Sequence, residues 1–175
     1  MRPVIIFGET TAVVMEAIAV EITDYELERG KPMPSKNHGF VQMKLGLELM
    51  SRYEDRFWFA SEVNIEVGGR VLVPDVVIYG NITTDMSHDE IVMSELPLTT
   101  IEILSPRQAL DDLIDKAMAY LEAGVKSCWI VSPKSMGLFL YSPEGHRYFQ
   151  SPETVTDPAS GIELPLAPLF RRGRA

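Results

Sequence analysis

The chain has 175 residues and a mass of 19.6 kDa, the size of one domain with a full core of its own, and its 46% apolar and 23% charged residues exclude a disordered chain. Its single cysteine, Cys128, excludes an intramolecular disulfide and a thiolate zinc cage, and no apolar run reaches the roughly 20 residues of a membrane helix. A net charge of −9 argues against tight, sequence-independent binding of phosphates, although clustered carboxylates can equally serve to hold a divalent cation.

No repeat or linker divides the sequence, so a single domain over 1–175 is expected. The opening stretch is apolar, but Glu9 and Glu16 argue against a signal peptide, and a cytoplasmic protein without a membrane partner is expected. Residues 9–22 read equally as helix or strand, and Tyr25 to Pro32 as a short strand and turn. Asn37 is a plausible N-cap for a helix running to about Tyr53. On a helical wheel Phe40, Val41, Met43, Leu45, Leu47, Leu49 and Met50 cover most of its circumference, and only Lys44, Glu48 and Ser51 mark a polar strip. Such a helix is buried on more than one side, which hints at a homodimer.

From Trp58 to Val67 the period changes to two, with Val63, Ile65 and Val67 alternating with polar positions. Gly68-Gly69 predicts a tight turn, with Arg70 to Tyr79 returning as the second strand of a hairpin. Residues 80–97 read as an exposed acidic loop, and Thr99 to Leu104 as a third, central strand. Ser105-Pro106-Arg107-Gln108 has the form of a capping box, so a second helix begins there or a few residues later. It ends at Gly124 and carries an apolar stripe of Leu110, Leu113, Ile114, Ala117, Met118 and Leu121. A buried strand at Ser127–Ser132 and short strands near 137–141 and 146–150 follow, with Trp58, Cys128 and Trp129 as core residues. This order predicts an α/β or α+β domain on a mixed sheet.

Two carboxylates stand out against apolar strands: Asp75, after Pro74, and Glu102, 27 residues later. A carboxylate in a buried strand costs several kcal/mol unless it is paired, hydrogen-bonded or bound to a metal. Two on neighbouring strands repel, which calls for a shifted pKa or a cation between them. Equally, Asp75 could make a turn after Pro74, and Glu102 could meet an arginine at a sheet edge.

The ordered set of YELERGKPMPSKNH, PDVVIY, IEILSP and DDLIDKAMAYLEAGVKSCWIVSP, from about Tyr25 to Tyr148, resembles the PD-(D/E)XK nuclease superfamily. More specifically, it resembles that superfamily's restriction-endonuclease branch, the Uma-two family. The resemblance implies an αβββαβ nuclease core, dependence on Mg2+ (or Mn2+) and hydrolysis of phosphodiester bonds in DNA. It implies that Asp75 and Glu102 are metal ligands, joined by the backbone carbonyl of Ile103. Glu62, one strand earlier, becomes a candidate further ligand or a group orienting water, against the plain alternative of a solvated strand position.

The sequence departs from the superfamily pattern at Leu104, two residues after Glu102, where a lysine would point to the same side of the strand. Lys116 is the best-placed substitute, since Asp112, Lys116 and Tyr120 form one row along the flank of the apolar stripe. The alternative is an ordinary Asp112–Lys116 surface pair worth about 0.3–0.5 kcal/mol. His38, at the first helix, is a candidate phosphate contact or else a helix-start residue. Lys31, Lys36, Lys44, Arg52, Arg56 and the arginine-rich tail could give an acidic protein a local DNA-binding face. Two rival functions stay open: a nuclease fold kept as an inactive, dimeric interaction module, and a metal-assisted hydrolase of a smaller phosphate substrate.

Overall fold

The computed structural model describes residues 34–80, 82 and 85–171. The expectations for residues 9–22, for Tyr25 to Pro32, for Lys31 and for the tail beyond Arg171 lie outside the described residues.

Helix α1 spans Lys36–Tyr53 and is capped by Ser35, whose side chain accepts from the His38 amide at 3.2 Å. Asn37 is therefore already inside the helix, and the cap stands two residues earlier than expected. Both residues are good caps; the serine takes the role because its hydroxyl meets the amide three residues on. One face of α1 is buried, through His38, Val41, Leu45 and Leu49. Among the described residues nothing covers the opposite apolar face: Phe40, Met43, Leu47 and Met50 are exposed.

The main sheet has six strands in the order β1 (Trp58–Ser61), β4 (Val76–Tyr79), β6 (Thr99–Ile103), β7 (Ser127–Ser132), β8 (Gly137–Ser142) and β9 (Gly145–Gln150). β6 and β7 run parallel and all other neighbours antiparallel, giving a mixed sheet. The parallel pair requires a crossover, supplied by α2 (Leu110–Ala123). α2 starts after the Ser105–Gln108 turn and ends at Gly124, whose φ of 115° closes the helix in a left-handed conformation.

Alternation along the central strands sends side chains to two layers. Ile101 and Ile103 of β6 and Trp129 and Val131 of β7 pack with α1, while Cys128 and Ile130 pack with α2. Trp129 and Cys128 are fully buried as expected; Trp58 is half-buried, edge-on to Tyr79. Burial pushes the Cys128 thiol up to about 12, which fits a core residue rather than a nucleophile.

The expected hairpin is divided between two sheets. β1 pairs with β4 in the main sheet, whereas β2 (Asn64–Val67) and β3 (Arg70–Leu72) pair across the Gly68-Gly69 turn in a three-stranded sheet. The third member, β5 (Val92–Met93), lies inside the expected loop and runs parallel to β2. Ile65 and Val67 bring this small sheet into the same core as Leu113, Ala117 and Tyr120 of α2. The chain leaves the main sheet at Glu62, with φ 57°, and returns at Val73-Pro74, where proline has no N–H to continue a ladder. Both breaks sit at one level, because the Glu62 amide donates to the Asp75 carbonyl at 3.3 Å.

The last described segment adds a β10 (Thr154–Thr156) and β11 (Glu163–Pro165) pair and a short α3 (Ala167–Phe170) that packs against α1. No helix among the described residues is long and apolar enough to cross a membrane.

Candidate active site

Asp75 occupies the junction between Pro74 and β4, at the end of the ladder where Val76 pairs with Ile101. β6 runs past that end, so the amide of Ile103 has no β4 carbonyl to meet. Instead it donates to Asp75 Oδ2 at 2.7 Å. An extended residue sends its N–H and C=O to the same side, so the Ile103 carbonyl faces the Asp75 side of β6 as well. Asp75 is 3% exposed, and its own carbonyl accepts from Gln42 Nε2 at 3.0 Å.

Glu102 points to the α2 side of β6, as do its neighbours Thr100 and Leu104 in the strand's alternation. It is 3% exposed and meets two groups from α2: Lys116 Nζ at 2.7 Å and Tyr120 Oη at 2.9 Å, both on Oε1. Among the described residues nothing donates to Oε2. Burial pushes the Glu102 carboxyl above the usual glutamate range, Lys116 pulls it back, and the nearby Asp75 charge pushes it further up. The Tyr120 hydroxyl is likewise pushed strongly up, by burial and then by Glu102, so it acts as a donor.

Lys116 is the partly exposed member, and its ammonium also donates to the Val73 carbonyl at 3.0 Å. It therefore joins the helix, the Val73-Pro74 break and Glu102 at one point. Asp112, one turn earlier, is exposed and forms no ion pair with Lys116 among the described residues. The lysine turns inward, where a desolvated partner binds it more strongly than an exposed one.

His38 enters from α1 on the other face of the sheet. Its Nδ1 lies 3.0 Å from Ser105 Oγ, and its Nε2 lies 3.4 Å from Asp75 Oδ1 without hydrogen-bond geometry. The ring is 5% exposed. His38 and Gln42, four apart on one helix face, thus both address Asp75. Glu62 stands beside Asp75 through its backbone, and among the described residues no three His, Cys, Asp or Glu side chains form a cluster that could hold a metal.

The structure brings Asp75, Glu102, Ile103, Lys116 and Tyr120 together at the end of β4 and β6, with His38 behind Asp75 and Asp112 left outside. Sequence reasoning missed Gln42, Ser105 and the Val73 carbonyl. Gln42 was detectable as the position one turn after His38, whereas the sequence presents Ser105 only as part of a capping box.

A mixed sheet between helical layers, with two buried carboxylates at the end of neighbouring central strands, defines a restriction-endonuclease-like fold. The chain belongs to the Uma2 family, described as putative restriction endonuclease, whose model matches residues 14–170. It is similar to the crystal structure of a putative nuclease belonging to DUF820 from Anabaena variabilis ATCC 29413, at 26% identity and a TM-score of 0.70, over 80% of this chain and 83% of that one. No curated protein matches the chain.

Proposed function

We propose that this protein is a divalent-cation-dependent endonuclease acting on phosphodiester bonds of DNA. The observation that carries the reading is the Lys116–Glu102 contact of 2.7 Å, which puts an ammonium beside the glutamate although position 104 is leucine. The donor set fits Mg2+ or Mn2+, which take one or two carboxylates and leave remaining positions to water and phosphate. Asp75, Glu102 and the Ile103 carbonyl would hold the cation, and Glu102 Oε2 has no donor among the described residues to compete with it. A bound cation would supply charge neutralisation at the phosphate and acidify a water.

The remaining work falls to side chains of this chain. Lys116 complements negative charge building on the phosphate and orients the attacking water, being exposed enough to meet substrate. Tyr120 fixes the Glu102 carboxylate from behind, and the Ile103 amide fixes Asp75. We read His38 and Gln42 as positioning residues for Asp75, and Glu62 as an accessory group. Its left-handed backbone supports that reading, because uncommon backbone conformations collect at functional sites.

A second reading, an interaction module on a nuclease fold, draws on the net charge of −9 and on Leu104. Calorimetric titration of Mg2+ and Mn2+ into the wild type and Asp75→Ala, with and without a short DNA duplex, separates the two. Saturable binding lost in Asp75→Ala, followed by duplex cleavage lost in Lys116→Ala, is the expected result. Absence of binding in both proteins, with and without DNA, overturns the nuclease reading.

A further inference from the structure

The outer face of α1 repeats with heptad spacing: Lys36, Phe40, Met43, Leu47, Met50 and Glu54 follow one another at intervals of four and three. The four apolar members are between 38% and 77% exposed, on the side of the helix away from Val41, Leu45 and Leu49. The seam ends in a cation at one terminus and an anion at the other, both exposed.

We propose that a second copy of this chain packs its own α1 antiparallel on this seam, forming a two-fold symmetric dimer. A two-fold contact pairs residue i with j and j with i. Centred near position 45, it sets Met43 against Leu47 of the partner subunit, Phe40 against the partner's Met50, and Lys36 against the partner's Glu54. A parallel arrangement would instead oppose lysine to lysine and glutamate to glutamate, so the charges select the antiparallel one.

The two helix glycines point to the same partner. Gly39 and Gly46 are seven apart and flank the seam, each next to an a-type position. Neither is needed for packing among the described residues, where a Cβ on either would meet nothing within 4 Å. Glycine inside a helix costs stability, and close approach of a second helix backbone accounts for keeping two of them there. The inference stands apart from the nuclease reading, because α1 uses its opposite face to address Asp75.

Sedimentation of the full chain across roughly 1–100 μM, where dimers of moderate affinity dissociate, tests the proposal. The wild type is expected to sediment as a dimer, and Leu47→Glu as a folded monomer with unchanged circular dichroism. Gly46→Ala should melt higher as a monomer yet dimerise about tenfold more weakly. Lys36→Glu and Glu54→Lys should each weaken self-association, while their equimolar mixture forms heterodimers, because both end pairs become complementary. A wild type that stays monomeric throughout, a dimer untouched by Leu47→Glu, or charge variants that do not pair with each other overturns the proposal.

Discussion

Lys116 Nζ lies 2.7 Å from Glu102 Oε1, although the two residues belong to different elements and are fourteen positions apart. Glu102 is buried and Lys116 partly exposed, so the pair spans the boundary between core and solvent. The Val73 carbonyl holds the ammonium from the other side, which anchors the start of β4 to α2. A charge at the mouth of the site is thereby obtained from a helix, while the strand position two after Glu102 is given to Leu104, packed in the α2 layer.

Removing that ammonium leaves a buried carboxylate with Tyr120 as its only donor among the described residues. Lys116→Met is expected to lose about 1–3 kcal/mol at neutral pH, below the cost of breaking a fully buried pair because Lys116 is partly solvated. Urea denaturation of both proteins measures it. The loss should shrink under acidic conditions, where Glu102 takes up a proton and needs the lysine less; an equal loss at both pH values would contradict the pairing.

Glu102 also sets a pH dependence of its own. Its carboxyl holds a proton more tightly in the folded than in the unfolded chain. The stability that it contributes is therefore complete below the ordinary glutamate range and falls as pH rises through the raised folded value. Glu102→Gln cannot ionise and should melt higher than the wild type at neutral pH by roughly 2–4 °C per kcal/mol recovered, with the difference closing near the unfolded glutamate value. Saturating Mg2+ should raise the wild-type melting temperature at neutral pH and leave Glu102→Gln nearly unchanged.

Tyr120→Phe removes one of the two donors to Glu102 Oε1 without opening a cavity. A buried hydrogen bond to a charged group carries about 1.5–3 kcal/mol, and the variant should lose an amount in that range by chemical denaturation. Its melting curve should stay cooperative, because the ring remains packed against Leu113 and Ala117 in the α2 layer.

Part of this arrangement was legible from the residues, and the family resemblance singled out Lys116, which spacing alone would have left as a surface partner of Asp112. Two carboxylates in apolar strands demand partners, and Gly124 could end a helix where few other residues could. The split hairpin was not legible: alternation through Val63, Ile65 and Val67 reports which face is buried but not which strand is the neighbour. Only the left-handed Glu62 and the missing Pro74 amide mark the change of sheet, and a glutamate gives no warning of positive φ. Gln42 and Ser105 act through the backbone and through a histidine, partners that spacing does not reveal. The β10–β11 pair was hidden because its strands are three residues long.

That short pair depends on a buried aspartate outside the site. Asp157 is fully buried and accepts from Thr99 Oγ1 at 3.0 Å, Ser160 Oγ at 2.6 Å and the Ser160 amide at 3.3 Å, with Thr99 in turn 2.7 Å from Ser127 Oγ. It therefore ties the β10–β11 loop to the N-terminal ends of β6 and β7. Asp157→Ala removes the acceptor shared by Thr99 and the half-buried Ser160, leaving Thr99 only Ser127, and should destabilise the protein by about 1–3 kcal/mol. The proposed Mg2+ binding at Glu102 should be unaffected, since Glu102 lies three residues along β6 from Thr99. Calorimetry on the folded variant would show whether the two regions are independent.

The edge of the main sheet offers a test by paired substitutions. Gly137 of β8 lies under the Tyr148 ring of β9, and a methyl there would come within 2.7 and 2.8 Å of two ring carbons. Tyr148 is held in place by Phe139, with ring centroids 4.6 Å apart. Gly137→Ala should therefore cost about 1–2 kcal/mol by overpacking, less than in a closed core because Tyr148 is 43% exposed and can shift outward. Tyr148→Ala should also destabilise, by loss of its contact with Phe139. Together the two should cost less than their sum, since the clash disappears with the ring. Additive losses in a double-mutant cycle would show that the Gly137 penalty is local to its own backbone.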